Sequence, residues 1–348
     1  MPDRPSIHRP GVLEAVRATT GLRREDLRTL RNAIYKRGLT PEEAVALLSP
    51  ATGSKLAEHV AVDGLQEVLR RDSARDGATK LVLKTRAGLA LESVILRILS
   101  GRSSVCVSSQ VGCAAHCQFC ATGHMGMARS LAVEEIVEQV AMAGRILQTE
   151  GRRLRNVVFM GMGEPMHNRA AVEEAVARLI DPQWFALSPR HVMVSTIGII
   201  DELRRFVARF PEVNLALSLH AARQEVRERL MPLAKQTPLR EMHRALREIQ
   251  ALRARPLMIE YLLLDGINDT DADLEALIDY CRELRVHLNL IPFNTIDQAP
   301  WLRPSTQARQ ATFSATLKAA GFVVTTRFSL GTDIAAACGQ LLRPHATS

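Results

Sequence analysis

The order of apolar and polar positions divides the 348-residue chain into stretches of different period. Over residues 1–78 apolar side chains recur at helical spacing, as in 23–37 and 58–71, which predicts a small helical domain. Within it Thr40-Pro-Glu-Glu43 has the features of a helix start: a capping hydroxyl, a proline in the first turn and an acid three residues after the cap. Over 79–105 the pattern shortens to β-like runs at 80–84 and 91–96 separated by Arg86-Ala-Gly88, which predicts a β-hairpin extension.

From 106 to 330 strand-length apolar runs (156–160, 191–196, 214–219, 258–264, 286–291, 322–326) alternate with amphipathic helical segments (133–148, 170–180, 201–210, 239–252, 271–284, 306–320). This alternation predicts an α/β core around a parallel sheet. A doubly wound sheet has the same rhythm. Glu164, Ser195, His220 and Asn294 fall at or just past the ends of predicted strands, which favours a partial (β/α) barrel with its site on the carboxyl face. Residues 331–348 follow as a C-terminal segment. Neither a repeat nor a low-complexity tract interrupts the pattern.

Composition narrows the functional classes. Hydrophobic residues make up 47% and charged ones 24%, the balance of a globular protein. No run approaches the roughly 18 apolar residues of a membrane span, and Met1-Pro-Asp-Arg-Pro is no signal peptide, so a cytoplasmic protein without a membrane partner is expected. Lys and Arg number 45 against 37 Asp and Glu, a net charge of +8 that favours polyanionic partners. Aromatics are only 4%, too few for a stacking platform to dominate such binding.

The densest chemistry lies at 113–120, where Cys113, Cys117 and Cys120 stand at the CxxxCxxC spacing. Three close thiols in an intracellular chain point to metal ligation rather than a disulfide framework. Three thiols can hold three corners of a cubane iron–sulfur cluster and leave one iron open to a small molecule. A structural zinc site is the alternative and requires a fourth ligand, with His116 or Cys106 in range. The second CxxC or HxxxH that usually completes such a site is missing.

Read outward from these thiols, the run from Cys106 through Cys113 to Cys120-Ala-Thr-Gly resembles the radical S-adenosylmethionine enzymes, specifically the RlmN/Cfr family of RNA adenosine methyltransferases. The match continues through Gly161-Met-Gly-Glu-Pro165, Ser195-Thr-Ile-Gly198, Ser218-Leu-His220, Ile291-Pro-Phe-Asn294 and Asp333-Ile-Ala-Ala-Ala-Cys-Gly-Gln-Leu341, from about residue 90 onward. Ile291-Pro-Phe-Asn294 leans toward the RlmN branch and 2-methyladenosine. Phe185-Ala-Leu-Ser-Pro-Arg190 with the 195–200 run leans toward the Cfr branch and 8-methyladenosine.

The resemblance implies a [4Fe-4S] cluster on Cys113, Cys117 and Cys120, with S-adenosylmethionine on the open iron, two molecules per turnover. Gly163, Glu164, Ser195, Ser218, Leu219, His220 and Asn294 would contact that ligand. Cys338 would take a methyl group from one S-adenosylmethionine; a radical made from the second would activate it for addition to the adenine ring carbon, C2 or C8. Cys106 would then form a transient disulfide with Cys338 and release the product, with Glu92 as proton acceptor. The substrate would be large-subunit ribosomal RNA, with transfer RNA a further candidate. Flavodoxin or ferredoxin would donate electrons to a monomer, and the first 78 residues would help to grip RNA, with Arg23-Arg24, Arg70-Arg71 and Arg152-Arg153-Leu-Arg155 as phosphate contacts.

Plainer readings stand beside these. Ser195, Ser218 and Asn294 suit strand-end capping, His220 a buried satisfied histidine, Glu92 a hairpin surface glutamate, and Cys281 a small core hydrophobe. Two other functions fit part of the pattern: a radical enzyme acting directly on a small molecule, and a zinc-bearing RNA-binding protein without catalysis.

Overall fold

The computed structural model describes residues 4–62, 64–98, 101–327 and 329–341. The first three residues and 342–348, which complete the expected helical domain and C-terminal segment, lie outside the described residues.

Four helices open the chain: α1 (Val12–Thr20), α2 (Arg24–Arg31), α3 (Pro41–Val45) and α4 (Pro50–His59). Thr40 and Glu43 form the expected capping box, the Glu43 amide donating to Thr40 Oγ1 at 3.1 Å and the Thr40 amide to Glu43 Oε2 at 2.7 Å. Past α2 the helix widens to a π turn (Asn32–Lys36) that carries Tyr35. Tyr35 stacks on Trp184 at 4.6 Å between ring centroids, and Arg31 and Arg178 lie over the Trp184 ring. This aromatic and cationic contact seats the helices on the α/β core.

The expected helix over 58–71 does not form. Helix α4 stops at His59, and Gln66–Asp72 is an edge strand, β1. Its Glu, Leu, Arg and Gln residues suit a helix, but the open edge of β2 (Ala78–Lys84) provides backbone partners, and sheet pairing overrides local propensity. β2, β3 (Ala90–Arg97) and β4 (Ser103–Cys106) continue antiparallel from β1.

From β4 onward the main sheet is parallel: β4, β7 (Leu154–Phe159), β8 (Val192–Thr196), β9 (Asn214–Ser218), β10 (Leu257–Leu263), β11 (Val286–Pro292) and β12 (Val323–Thr326), in that order. Between its strands run α5 (Val133–Thr149), α6 (Arg169–Ile180), α7 (Ile200–Arg209), α8 (Gln224–Leu230), α9 (Leu239–Ala251), α10 (Asp271–Cys281) and α11 (Gln307–Ala319). β12 ends the sheet on one side and β1 on the other, so the barrel is open and partial, and the hairpin strands are continuous with it. A separate two-stranded ribbon, β5 (Gln110–Gly112) and β6 (Met127–Ser130), brackets the cysteine loop.

Candidate active site

The carboxyl ends of the parallel strands open into a cleft of about 970 Å³, mouth included, large enough for a cofactor-sized ligand. Cys113, Cys117 and Cys120 form one wall, supplied by the loop that the β5–β6 ribbon holds closed. Burial pushes the Cys113 thiol up to about 12, Cys117 well above its usual value, and Cys120 upward. A bound metal centre supplies the positive charge that such thiols require to ionise.

His116 does not join them. Its backbone is left-handed (φ 52°), and Nδ1 lies 3.2 Å from the Gly123 carbonyl oxygen, so it is a loop residue. Around a single zinc ion with bonds near 2.3 Å, thiolate sulfurs stand about 3.8 Å apart. Among the described residues no group of three or more His, Cys, Asp or Glu side chains is gathered to hold one ion. In a cubane each thiolate takes its own iron, and three thiols lining one cleft suit that arrangement.

Gly161-Met-Gly-Glu164 lines the same cleft, with the Glu164 backbone beside the Cys113 thiol. The two glycines let other parts of the chain pack closely: a Cβ on Gly161 would stand 2.7 Å from the Val107 backbone carbonyl, and one on Gly163 (φ 98°) 2.5 Å from the Gln110 side chain. This close packing fixes Glu164. Its Oε1 accepts from Thr196 Oγ1 at 2.7 Å and from the Met166 amide at 2.9 Å, and its Oε2 from the Ile197 amide at 3.0 Å. Burial raises its pKa and these three bonds oppose the shift.

Ser195, Ser218 and His220 line the same cleft. His220 (φ 57°) accepts from the Leu262 amide through Nδ1 at 3.1 Å, and burial together with Arg227 draws its pKa down to about 3, so the ring is neutral with its proton on Nε2. Leu219 buries its side chain in the core and donates its amide to the Glu260 carbonyl at 3.1 Å. Asn294 is brought to the tail, where its Nδ2 donates to the Cys338 carbonyl at 3.2 Å.

Cys338 also lines the cleft, on a tail stitched down along its length. Gly331 N donates to Asp76 at 2.8 Å, Lys80 Nζ to the Ala335 carbonyl at 3.2 Å, Ala121 N to the Gly339 carbonyl at 2.7 Å, and Gln340 Nε2 to the Thr295 carbonyl at 3.1 Å. Cys106, the last residue of β4, is buried, and its thiol is pushed up to about 12 by burial and by Cys338. All six cysteines are free thiols.

Four residues of this region escape the sequence reading. Glu260, a lone acid inside an apolar strand, accepts from Ser195 Oγ at 3.0 Å, while its other oxygen has no hydrogen bond. Arg327, just past β12, stands 3.9 Å from Glu260, and its charge draws the thiols of both Cys338 and Cys106 downward. Arg227 is fully buried beneath the cleft. Lys80 pairs with Glu92 at 3.2 Å, both side chains fully buried, so Glu92 is not a surface glutamate.

Removing one member of that pair strands a buried charge, at a cost of about 3–5 kcal/mol. Lys80→Met is expected to lower stability by that amount in thermal or denaturant unfolding. Lys80→Met combined with Glu92→Leu should recover much of the loss.

Residues 107–281 match the radical SAM superfamily. The chain is 50% identical to a probable RNA methyltransferase of Rhodopirellula baltica, over 95% of this chain and 86% of that one. It is 40% identical to the dual-specificity RNA methyltransferase RlmN of Sorangium cellulosum, over 89% and 87% respectively. The protein belongs to the RlmN family of radical SAM RNA methyltransferases. The crystal structure of a radical SAM methyltransferase from Sphaerobacter thermophilus superposes with a TM-score of 0.92 at 36% identity, covering 97% of this chain and 99% of that one. Family membership brings with it a [4Fe-4S] cluster and S-adenosylmethionine, and the three-thiol cleft fits both. Among the described residues no helix is long and apolar enough to cross a membrane.

Proposed function

We propose that the protein methylates C2 of an adenosine in RNA, using Cys338 as the carbon carrier and Cys106 as the residue that frees the product. The RlmN name of several relatives favours C2 over C8, and its dual-specificity qualifier fits more than one RNA, large-subunit ribosomal and transfer RNA being the candidates. The observation that carries this reading is Cys338 lining the cleft shared with Cys113, Cys117 and Cys120, with the charge of Arg327 favouring the thiolates of both Cys338 and Cys106.

An adenine carbon bonded to two nitrogens is electron-poor and does not attack a sulfonium methyl, whereas a thiolate does. The Cys338 thiolate, favoured by Arg327, forms an S–CH₃ bond as the sulfonium S–CH₃ bond breaks, and S-adenosylhomocysteine leaves with the electron pair. Cys113, Cys117 and Cys120 would hold the cluster, and Glu164, Ser195, Ser218 and the neutral His220 would orient S-adenosylmethionine, with Gly163 and Leu219 holding the backbone around it. When bound, the cluster supplies the electron that converts a second S-adenosylmethionine into the hydrogen-abstracting radical. After the carbon has joined the base, Glu92 would remove the ring proton while the adduct's unpaired electron returns to the cluster, which restores the aromatic ring and requires the Lys80 pair to open. The Cys106 thiolate would then attack Cys338 Sγ, the bond from that sulfur to the transferred methylene carbon breaking with its electron pair left on the carbon, which takes up a proton to become the methyl group, and a disulfide remains for a thiol reductant to reopen.

In this reading residues 1–78 grip RNA, 79–105 brace the tail, 106–330 form the radical SAM core and 331–348 present the carrier. Asn294 steadies Cys338 through the backbone. The protein works in the cytoplasm as a monomer, fed by a flavodoxin or ferredoxin. Nucleoside mass spectrometry of ribosomal and transfer RNA from cells with and without the gene tests the reading. Loss of 2-methyladenosine on deletion is expected; unchanged methyladenosine content in both RNA classes would contradict it.

A further inference from the structure

Arg227 lies in α8 and is fully buried. Its Nε donates to the Leu219 carbonyl at 3.2 Å and its Nη2 to the Ile197 carbonyl at 2.7 Å, while among the described residues Nη1 has no hydrogen-bond partner. Among the described residues no carboxylate pairs with it; Tyr280 and Cys117 are the groups that would favour its charge if ionised, and burial holds both neutral in the absence of a metal centre. A buried guanidinium without a counter-ion is costly. Two carbonyl bonds do not account for it, since a neutral amide would satisfy the same acceptors.

Its surroundings suggest what does. Val226, Leu230 and Met231 of the same segment share one apolar cluster with Cys113 and Cys117, and the Gln118 amide donates to the Leu230 carbonyl at 2.9 Å. The helix is thus packed directly on the cysteine loop, with its only buried cation on the Cys117 side. A cubane ligated by three thiolates carries net negative charge and gains one more on reduction, so a fixed cation in a low-dielectric wall favours both the loaded and the reduced states.

We propose that Arg227 is the built-in counter-charge of the cluster on Cys113, Cys117 and Cys120, raising its reduction potential and stabilising the loaded loop over the empty one. The inference rests on ligation by those three cysteines. It is tested on the full chain, reconstituted without oxygen, as wild type, R227K, R227Q and R227M. The readouts are iron content, the cluster midpoint potential, and the gain in thermal stability on loading.

R227Q and R227M are expected to have a lower midpoint potential and a smaller gain on loading, while R227K stays near wild type in both. Loss of iron from the neutral variants but not from R227K supports the same conclusion. If Arg227 merely clamps two carbonyls, the neutral variants lose stability equally with and without the cluster, and the potential does not move. That outcome, or R227K losing iron along with the neutral variants, overturns the inference. An iron-free wild type overturns the ligation itself, which separates the two failures.

Discussion

Replacing Cys338 by alanine is expected to abolish RNA methylation, a loss on the order of 10⁶ in rate, the scale of removing a covalent nucleophile. No other thiol is held to take its place. Cys106 is buried at the end of β4, Cys281 lies in the core, and the remaining three belong to the cysteine loop. The tail is anchored by backbone groups at Gly331, Ala335, Gly339 and the Cys338 carbonyl, none of which depends on the sulfur, so Cys338→Ala should fold and keep its iron. An enzyme that turned its radical directly on the substrate would retain its product in this variant. Methylation assays with radiolabelled S-adenosylmethionine, run beside iron analysis, separate the two outcomes.

Replacing Cys106 by alanine is expected to have a different signature. Carbon transfer to the base still takes place, but the attack that breaks the carbon–sulfur bond is lost, so RNA stays joined to the protein through Cys338. In the absence of added thiols, turnover stops at about one event per enzyme, and a denaturing gel shows a protein–RNA band that nuclease collapses. The geometry agrees with this division of labour. Cys106 is covered and its thiol pushed up to about 12, suited to act late and only against a neighbouring sulfur, whereas Cys338 faces the cleft with Arg327 beside it. Free protein with normal turnover in Cys106→Ala would remove the residue from the reaction.

Most of the barrel was legible because its longer strands and helices each carry their own period, whereas β4 and the short α8 were not read. The apolar runs at 156–160 and 258–264 recur as β7 and β10 within two residues, and Glu164, Ser195 and His220 meet at the strand ends as their positions require. β1 was not legible, because Gln66–Asp72 is mostly exposed and its strand state comes from the edge of β2 rather than from its own residues. The plainer reading of Glu92 as a surface glutamate fails for a related reason. An acid in a hairpin normally faces water, and the diagonal approach of Lys80 on the neighbouring strand gives this one a buried partner. A lone acid in the apolar run Leu257–Leu263 is a signal from which Glu260 could have been found. Arg227 left no such trace, since an arginine on an amphipathic helix is ordinarily solvated and its burial follows only from how α8 meets the cysteine loop.

Mass spectrometry of the Cys338 peptide tests the central claim most directly. The protein is reconstituted and reduced without oxygen, then given S-adenosylmethionine carrying an isotopically labelled methyl group, first without RNA and then with it. The account predicts one labelled methyl group on Cys338 before RNA is added, and its passage to adenine afterwards. Labelled RNA formed by a protein whose Cys338 never bears the label would contradict it.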